Sequence, residues 1–303
     1  MPVTAPPRSS DGTRRHVLSF DVEEYFHVEA AAATVRPADW DGLASRLAPP
    51  VDRILDLLAE HDAAATFFVL GWVARKQPGL VARIARAGHE IASHGMSHQM
   101  IQRLDPSRFR EEIIDSRKLL EDIASAPVAG FRAPTFSLTH KTAWAIDELA
   151  AAGYEYDSSV FPVRHDRYGV PEAPRWAHRA VGPGGGSILE VPPLTLRAGR
   201  ANLPVGGGGY LRLFPIHLIG LGLDAAGRAG QVGVVYAHPW EFDPGQPLLP
   251  MGRLTRWRHR VNLHRTESKV RWLLRNYDFC DFRRCMGALR SAATEQFLYG
   301  TEA

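Results

Sequence analysis

The sequence predicts an α/β protein built on a parallel sheet or an α/β barrel. Short apolar runs of β-type residues alternate along the chain with longer segments in which apolar residues recur at helical spacing. This alternation is typical of parallel strands, because each crossover between them needs a connection long enough to hold a helix. The chain has 303 residues, 45% hydrophobic and 23% charged, so it can bury the core of one large domain or two small ones.

Six apolar runs are predicted as strands. The first, 16-HVLSF-20, follows a polar start rich in Pro and Ser, and we expect residues 1–15 to be disordered. The other five are residues 64–71, 88–93, 128–132, 187–191 and 232–238. Together they supply the strands of the predicted sheet or barrel.

Four segments between these strands are predicted as helices. The first begins at a Pro-Pro pair, a common helix start, and its apolar positions are Val51, Ile54, Leu55 and Leu58. The others are residues 72–88, 106–124 and 139–153, and two of these segments end at a glycine, a common C-terminal stop.

The character of the chain changes near Arg164, where Gly and Pro concentrate in residues 182–187 and 204–210. Such a region can be a flexible linker. Apolar residues continue on both sides of it, however, and residues 214–227 lead back into a buried strand. We therefore expect ordered loops over the mouth of a single domain spanning residues 16–303. The core of this domain would comprise residues 16–162 and 228–245, and residues 163–227 and 246–303 would form an extension.

Charge and cysteine content restrict the function only loosely. The 36 basic and 33 acidic residues give a net charge of +3, which permits an acidic partner without requiring one. The basic segment 252–265 is interpreted as a solvated helical face rather than a nucleic-acid site, because no nucleic-acid-binding motif accompanies it. Two cysteines exclude a disulfide framework and allow a reducing compartment.

The N-terminal residues lack the apolar run of a signal peptide, and no uninterrupted apolar stretch reaches the roughly 18 residues that a membrane span needs. We therefore expect a cytoplasmic protein without a membrane span.

Polar residues follow four of the predicted strands, at the place where α/β barrels collect their catalytic groups. Asp21 and Glu23 follow the first strand, and strand alternation would point both carboxylates the same way. His94 and His98, four residues apart, can converge on one metal from a single helical turn. A pair of unlinked surface histidines is the alternative, and the nearby acids favour the metal site.

Arg132 and His238 occupy the other two strand ends. A buried Arg132 would need a carboxylate partner, for which Asp21 is the candidate, and a structural arginine on the rim is the alternative. His238 taken alone is typical of a satisfied core histidine. Asp157 taken alone is typical of a turn or capping residue.

In this order, an aspartate at a strand end, His-x-x-x-His, Arg-x-Pro, Asp-x-Ser and a late histidine resemble the carbohydrate esterase or polysaccharide deacetylase family with the NodB homology domain. The runs FDVEEYFHVE, HEIASHGMSHQ, GFRAPTFSL and HPWEFDPGQP are similar to the exosortase-associated exopolysaccharide deacetylases, whose C-terminal extension follows the barrel core. The resemblance covers residues 16–282. It implies a deformed (β/α)-barrel with the extension packed on it and hydrolysis of N-acetyl groups on an exported polysaccharide.

The resemblance also implies roles for single residues. Asp21 would be the catalytic base, held ionised by Arg132, and His238 would be the general acid, oriented by Asp157. A divalent metal, for which zinc is the expected ion, would be bound by Glu23, His94 and His98. Val22 stands where many family members have a second aspartate, so Glu24 remains an alternative acidic ligand. The residues expected to contact the sugar are Pro134, Tyr210 and Trp240.

Two other functions compete with the metal-dependent deacetylase. One is a metal-independent amidohydrolase acting on a small ureide or amide, and the presence of both histidines argues against it. The other is a sugar-binding protein with an inactive site, and Asp21 with His238 argues against that, because a binding protein needs neither residue.

Overall fold

A sheet of mainly parallel strands forms the framework of the protein. The computed structural model describes residues 15–165 and 167–300. The first strand, β1 (Arg15–Val22), is buried at every position after Arg15. The strands that follow it in the described part of the chain are β2 (Thr66–Val69), β3 (Glu90–Ser93), β4 (Gly130–Phe131), β5 (Tyr156–Asp157), β6 (His178–Val181), β7 (Ser187–Glu190), β8 (Thr195–Ala198), β9 (Ala201–Pro204), β10 (Val234–Ala237), β11 (Asp278–Cys280) and β12 (Gln296–Leu298).

The strands are ordered β10-β1-β2-β3-β4-β5-β7, and all neighbours in this series are parallel. At one edge β6 is antiparallel to β7 and carries β12, whereas β11 pairs with the start of β1. Beyond β7 the chain passes along the outer edge of β10, where Leu194 donates its N–H to Val234 O (2.9 Å) and Tyr236 donates to Gly206 O (2.7 Å). The ring is thus closed through irregular backbone, and the predicted deformed barrel is confirmed.

Helices surround this barrel. In the described part of the chain they are α1 (Ala48–Glu60), α2 (Gly71–Lys76), α3 (Pro78–Arg86), α4 (Pro106–Ala124), α5 (Trp144–Ala151), α6 (Gly208–Leu213), α7 (Ile216–Arg228), α8 (Arg253–Arg260), α9 (Thr266–Asn276) and α10 (Phe282–Ala292). None of these helices is both long enough and apolar enough to cross a bilayer.

The two faces of β1 pack into two different hydrophobic clusters. Val17 belongs to an inner cluster with Phe68 and Tyr156, which Phe282 of α10 joins. Leu18 and its alternate neighbours on β1 pack instead in the main cluster with residues of the surrounding helices. Because successive side chains alternate, the inner face of β1 also carries Asp21, at the strand's carboxyl end.

All six predicted strands and the first and third helices are present. The predicted helix 72–88 is wrong as one element, because Gln77 leaves helical geometry before Pro78 and separates α2 from α3. A proline has no N–H to donate and its ring clashes with the preceding turn, which explains the break. The predicted helix 139–153 is shorter than expected, since a 3₁₀ turn at His140–Thr142 precedes α5.

The part of the chain after residue 162 that the structure describes contains regular strands and helices. It contributes β7 and β10 to the barrel and adds the β8–β9 hairpin, α6 and α7. The segment predicted as disordered, residues 1–15, lies outside the described residues except for Arg15, which opens β1. The two cysteines of the chain, Cys280 and Cys285, form a disulfide between β11 and α10.

The glycine-rich run 204–210 packs directly on the barrel, and one of its glycines is sterically required. Gly207 forms a backbone bridge with Tyr236 of β10, and a Cβ at Gly207 would overlap the Tyr236 carbonyl oxygen. If this run were a flexible linker, alanine at Gly207 would leave the fold unchanged. Because Gly207 packs against β10, we do not expect that result.

We expect Gly207→Ala to destabilise the protein by about 1–3 kcal/mol, the usual cost of forcing extra volume into a packed site. Gly209→Ala is the matched control, because its Cβ would meet only the Arg212 guanidinium at an ordinary 3.8 Å. The measurement is the melting temperature of the two variants, which should be lower for Gly207→Ala than for Gly209→Ala. Equal melting temperatures would show that the contact with β10 is unimportant.

Candidate active site

A buried ion pair lies at the carboxyl end of β1. Arg132, which follows β4, donates from Nη1 to Asp21 Oδ1 (2.7 Å) and to Ser19 Oγ (2.9 Å). Its Nη2 donates to Ser158 Oγ (2.9 Å), and the guanidinium lies 4.1 Å from the centre of the Phe68 ring. Arg132 is fully buried and Asp21 is 2% exposed. The pair predicted from the sequence is therefore formed, and water does not screen it.

Beside this pair, one carboxylate and two imidazoles form a group able to hold a metal ion. One ligand atom each from Glu23, His94 and His98 lies within 4.8 Å of the others, and all three residues are buried. Glu23 Oε2 contacts His98 Nε2, and Glu23 Oε1 accepts the Trp240 indole N–H (3.0 Å). His94 Nδ1 lies 2.8 Å from the Arg132 carbonyl oxygen, a contact that orients the ring and directs Nε2 to the site.

The two histidines lie on a loop after β3 and not on the helical turn that their spacing suggested. His98 has left-handed backbone geometry with φ of 54°, which turns the loop back toward Glu23. Glu112 of α4 fixes this loop by accepting the N–H groups of Met96 (3.1 Å) and Ser97 (3.2 Å). The Glu112 side chain of α4 thus positions the loop through the loop's own backbone N–H groups.

The pKa shifts of Glu23 and His94 favour the protonation states in which these side chains bind a metal ion. Burial raises the pKa of Glu23, but the charge and hydrogen bond of His98 and the charges of His238 and His94 together bring it well below its ordinary value. Burial lowers the pKa of His94 to about 4. Glu23 is therefore ionised and His94 neutral at physiological pH, the forms in which these side chains bind a cation.

His238 faces the same point from β10. Its Nε2 lies 3.8 Å from Asp21 Oδ2 and 3.8 Å from Glu23 Oε1. Its other nitrogen, Nδ1, lies 3.1 Å from Glu241 Oε2, and Glu241 Oε1 accepts from Arg212 Nε (2.5 Å). The imidazole is therefore held by a buried Arg212–Glu241 pair on one side and faces the carboxylates on the other.

The surroundings of His238 favour its protonated form. Burial lowers the pKa of His238, but the hydrogen bond and charge of Glu241, with the charges of Glu23 and Asp21, raise it to about 9. For Glu241, burial raises the pKa and the charge of Arg212 with the His238 contact lowers it to about 2. The two shifts together favour an ionised Glu241 beside a protonated His238.

Asp157 does not orient His238, contrary to the sequence-based expectation. In the described residues, the acidic groups within 4 Å of His238 are Asp21, Glu23 and Glu241. Asp157 pairs instead with Glu190 of the neighbouring strand β7 and accepts from Ser159 Oγ (2.5 Å). Burial raises the pKa of Asp157 to about 6, and burial with the charge of Asp157 raises that of Glu190. Asp157 therefore supports the backbone beside Arg132, because Ser159 Oγ in turn accepts the Ala133 N–H (2.7 Å).

Glu24 lies outside the metal-binding group. Its carboxylate accepts the Arg46 backbone N–H at 3.2 Å and lies near the Arg46–Asp243 ion pair. It is 1% exposed, so it is a buried structural acid and not a rim residue. Of the two adjacent glutamates, the one grouped with the histidines is Glu23.

These groups open into a cleft of about 630 Å³. Tyr210 and Trp240, two of the three residues expected to contact sugar, line it. Pro134 does not, but its neighbours Ala133 and Thr135 do. The extension also contributes lining residues from α8, namely Thr255, Trp257, Arg258 and His259.

Sequence reasoning missed Arg212 and Glu241. Glu241 stands three residues after His238, a spacing that closes a helical turn and was a detectable signal. Arg212 had no such signal, because it lies in α6 directly after the glycine-rich run and reaches Glu241 only through the fold.

The fold and site together define a deformed (β/α)-barrel with a buried Asp–Arg pair, a histidine and a carboxylate–dihistidine group at the carboxyl ends of its strands. Comparison with known proteins agrees with this class. Residues 42–156 match the family model Polysaccharide deacetylase, and residues 158–287 match a second model, Domain of unknown function (DUF3473). Residues 42–156 are therefore similar to the polysaccharide deacetylase family.

Individual relatives match over part of the chain. A peptidoglycan-N-acetylglucosamine deacetylase of Bacillus cereus is 35% identical over 97 residues, which cover 32% of this chain and 35% of the relative. A chitooligosaccharide deacetylase of Rhizobium leguminosarum bv. trifolii is 41% identical over 68 residues, covering 22% and 32% respectively. The chain thus matches these relatives over about a third of their length.

The fold is similar over nearly its whole extent to a crystal structure from Mycobacterium smegmatis assigned as a polysaccharide deacetylase. The TM-score is 0.62 at 22% identity, with 99% of each chain covered. The boundary between the two family models falls at residue 157, inside the barrel. Since β7 and β10 lie beyond it, the second matched region completes the barrel and supplies His238, Glu241 and Arg212.

Proposed function

We propose that this protein is a metal-dependent N-deacetylase that removes acetyl groups from amino sugars of an exopolysaccharide. The observation that carries the proposal is the convergence of Asp21, His238 and the Glu23–His94–His98 group on one cleft. The relatives named for chitooligosaccharide and peptidoglycan deacetylation support the reaction type. The exopolysaccharide as substrate rests on the motif resemblance alone.

The three ligand side chains fit a divalent cation of the zinc type. Two imidazole nitrogens and one carboxylate oxygen are a donor set that zinc commonly takes in hydrolytic sites. Each of two ligands also has a supporting contact, Trp240 to Glu23 and the Arg132 carbonyl to His94. A cation bound there supplies a Lewis acid that polarises the acetyl carbonyl and acidifies water.

The chain's own residues supply the proton transfers. Asp21 accepts the proton of the attacking water, and Arg132 holds this carboxylate in position by direct contact at 2.7 Å. His238 then donates a proton to the sugar nitrogen as the C–N bond breaks, so that the product leaves as a neutral amine. His238 Nε2 lies within 4 Å of the Asp21 and Glu23 carboxylates. The base, Asp21, and the acid, His238, can therefore both contact the same acetyl group.

The shape of the cleft favours a polymer over a small ureide. An opening of about 630 Å³ lined by Tyr210, Trp240 and Trp257 offers aromatic faces at several points, as extended sugar ligands require. The metal-independent amidohydrolase and the inactive sugar-binding protein remain the alternatives that experiment must exclude.

Removal of metal separates these functions. We expect protein dialysed against a chelator to lose acetate release from N-acetylglucosamine oligosaccharides and to regain it when zinc is added. Circular dichroism of the metal-free protein verifies that it stays folded. Full activity without metal would instead support the amidohydrolase.

The pH dependence of turnover tests the Glu241 contact. As general acid, His238 works while protonated, so kcat/KM should fall as pH rises through the pKa of this residue, raised to about 9. Glu241→Gln removes a carboxylate that raises this pKa, so the basic limb should move to lower pH, toward the ordinary value of about 6.5. Glu172→Gln, which removes an exposed carboxylate contacting His140, is the control. An unmoved limb in Glu241→Gln would exclude the positioning role.

A further inference from the structure

Helix α8 carries a basic and aromatic surface that takes no part in the proposed proton transfers. This surface, here called the α8 surface, consists of Arg253, Arg256, Trp257, Arg258 and Arg260. Trp257 is 56% exposed, an uncommon position for so large an apolar side chain. Within residues 15–165 and 167–300, none of the four arginines forms an ion pair with a carboxylate. The positive charge of the surface is therefore available to a ligand.

Two neighbouring hollows share this surface. The active-site cleft is lined by Trp257 and Arg258 among its α8 residues. A second, shallow hollow of about 360 Å³ is lined by Arg253, Arg256, Trp257, Arg260 and Val261. Trp257 thus forms a wall common to both, and a ligand extending from the catalytic groups along α8 reaches the arginines next.

The α8 surface is held in a fixed position relative to the catalytic residues. Arg212, which binds Glu241, also donates from Nη1 to the carbonyl oxygens of His259 (2.8 Å) and Val261 (3.0 Å) at the end of α8. The His259 ring stacks on Trp240, with centroids 4.6 Å apart. The same arginine therefore fixes both the orientation of the general acid and the end of α8.

Contacts within the hollow orient its arginines without neutralising them. Arg260 donates to the carbonyl oxygens of Gln246 (2.7 Å) and Pro244 (2.9 Å). Arg256 donates from Nη2 to the Met251 carbonyl (2.9 Å), and its Nε has no hydrogen-bond partner among the residues that the structure describes. Carbonyl groups carry no net charge, so these guanidinium groups keep theirs and are pre-organised for an anion.

We infer that the α8 surface is a subsite for an acidic sugar, next to the sugar that is deacetylated, so that the substrate is an anionic polysaccharide bearing carboxylates. Guanidinium groups bind carboxylates through paired, charge-assisted hydrogen bonds, and an indole face packs on the apolar face of a sugar ring. The inference rests on the proposed deacetylase function, which supplies the glycan in the cleft.

An anionic lipid surface is the other ligand that arginines beside exposed apolar side chains can fit. The structure favours the glycan, because three of the arginines line a hollow that shares Trp257 with the catalytic cleft. Lipid binding is therefore kept as an outcome of the test.

The test compares two hexasaccharides, one alternating glucuronate with N-acetylglucosamine and one of N-acetylglucosamine alone. We expect wild-type protein to have the higher kcat/KM on the anionic hexasaccharide. Arg253→Gln/Arg256→Gln should lose about 10-fold or more of this value, mainly through KM, because each lost charge-assisted hydrogen bond reduces affinity by roughly that factor. The loss on the neutral hexasaccharide should be much smaller.

Arg53→Gln/Arg86→Gln is the matched control, since it removes the same charge from two exposed arginines on α1 and α3. Equal kcat/KM for the two hexasaccharides, unchanged in the α8 double variant, would overturn the subsite while leaving deacetylation intact. Loss of binding to phosphatidylglycerol vesicles in the α8 variant, without a kinetic change, would overturn it in favour of a lipid.

Direct binding by calorimetry keeps the two proposals distinguishable. If neither hexasaccharide releases acetate, the proposed function fails. Tighter binding of the anionic hexasaccharide to wild type than to the α8 double variant would still support the subsite. Equal binding to both proteins would overturn it.

Discussion

Asp21→Asn is expected to lose about 10²–10⁴-fold of turnover, the usual contribution of a general base, while it retains bound metal. The amide keeps the shape of the carboxylate but cannot accept the proton of the attacking water. Because Asp21 Oδ1 is the acidic partner of the buried Arg132 guanidinium, the variant should also be less stable. Acetate release, metal content by atomic emission and thermal unfolding should therefore be measured on the same preparation.

The paired variants Glu23→Gln and Glu24→Gln provide the control. Glu23→Gln should lose metal, because its carboxylate is grouped with His94 and His98, whereas Glu24→Gln should keep it. Metal loss in Glu24→Gln alone would show that the ligand is the neighbouring residue. Wild-type turnover in Asp21→Asn would exclude this residue as the base.

His238→Ala is expected to retain metal and fold and to lose about 10²–10⁴-fold of turnover on N-acetyl sugars. The reason is that an amine is a poor leaving group unless it is protonated. The raised pKa of His238 favours the protonated imidazole, which donates that proton. An activated aryl acetate should be affected much less, because its phenoxide leaves without protonation. The measurement is the ratio of the two losses.

Equal losses on amide and aryl acetate would contradict the general-acid role. Loss of bound metal in His238→Ala would instead make His238 a metal ligand. His238→Gln provides a second variant that retains a polar side chain at this site.

Much of the site was predictable because parallel strands deliver their carboxyl ends to one edge of a barrel. Asp21 lies at the end of β1, and Glu23, His94, Arg132 and His238 each directly follow a strand, so recognising the strands was sufficient to bring these residues together. The pairing of Arg132 with Asp21 followed from charge alone, since a buried guanidinium needs a carboxylate.

The remaining contacts depend on neighbours that the sequence does not identify. The family resemblance assigned Asp157 to His238, whereas its neighbour in the structure, Glu190, is identified only by the pairing of β5 with β7. Strands of two to four residues, such as β5 and β6, carry too few residues for a periodic signal. Arg212 reaches Glu241 across 29 residues of chain, and no local pattern encodes that contact.

The most direct test of the central claim is to count products from a defined N-acetylglucosamine oligosaccharide. The account predicts that metal-loaded protein releases acetate and exposes an equal number of free amino groups, and that Asp21→Asn and chelated protein release neither. Hydrolysis of a small ureide by metal-free protein, without acetate release from the oligosaccharide, would contradict it.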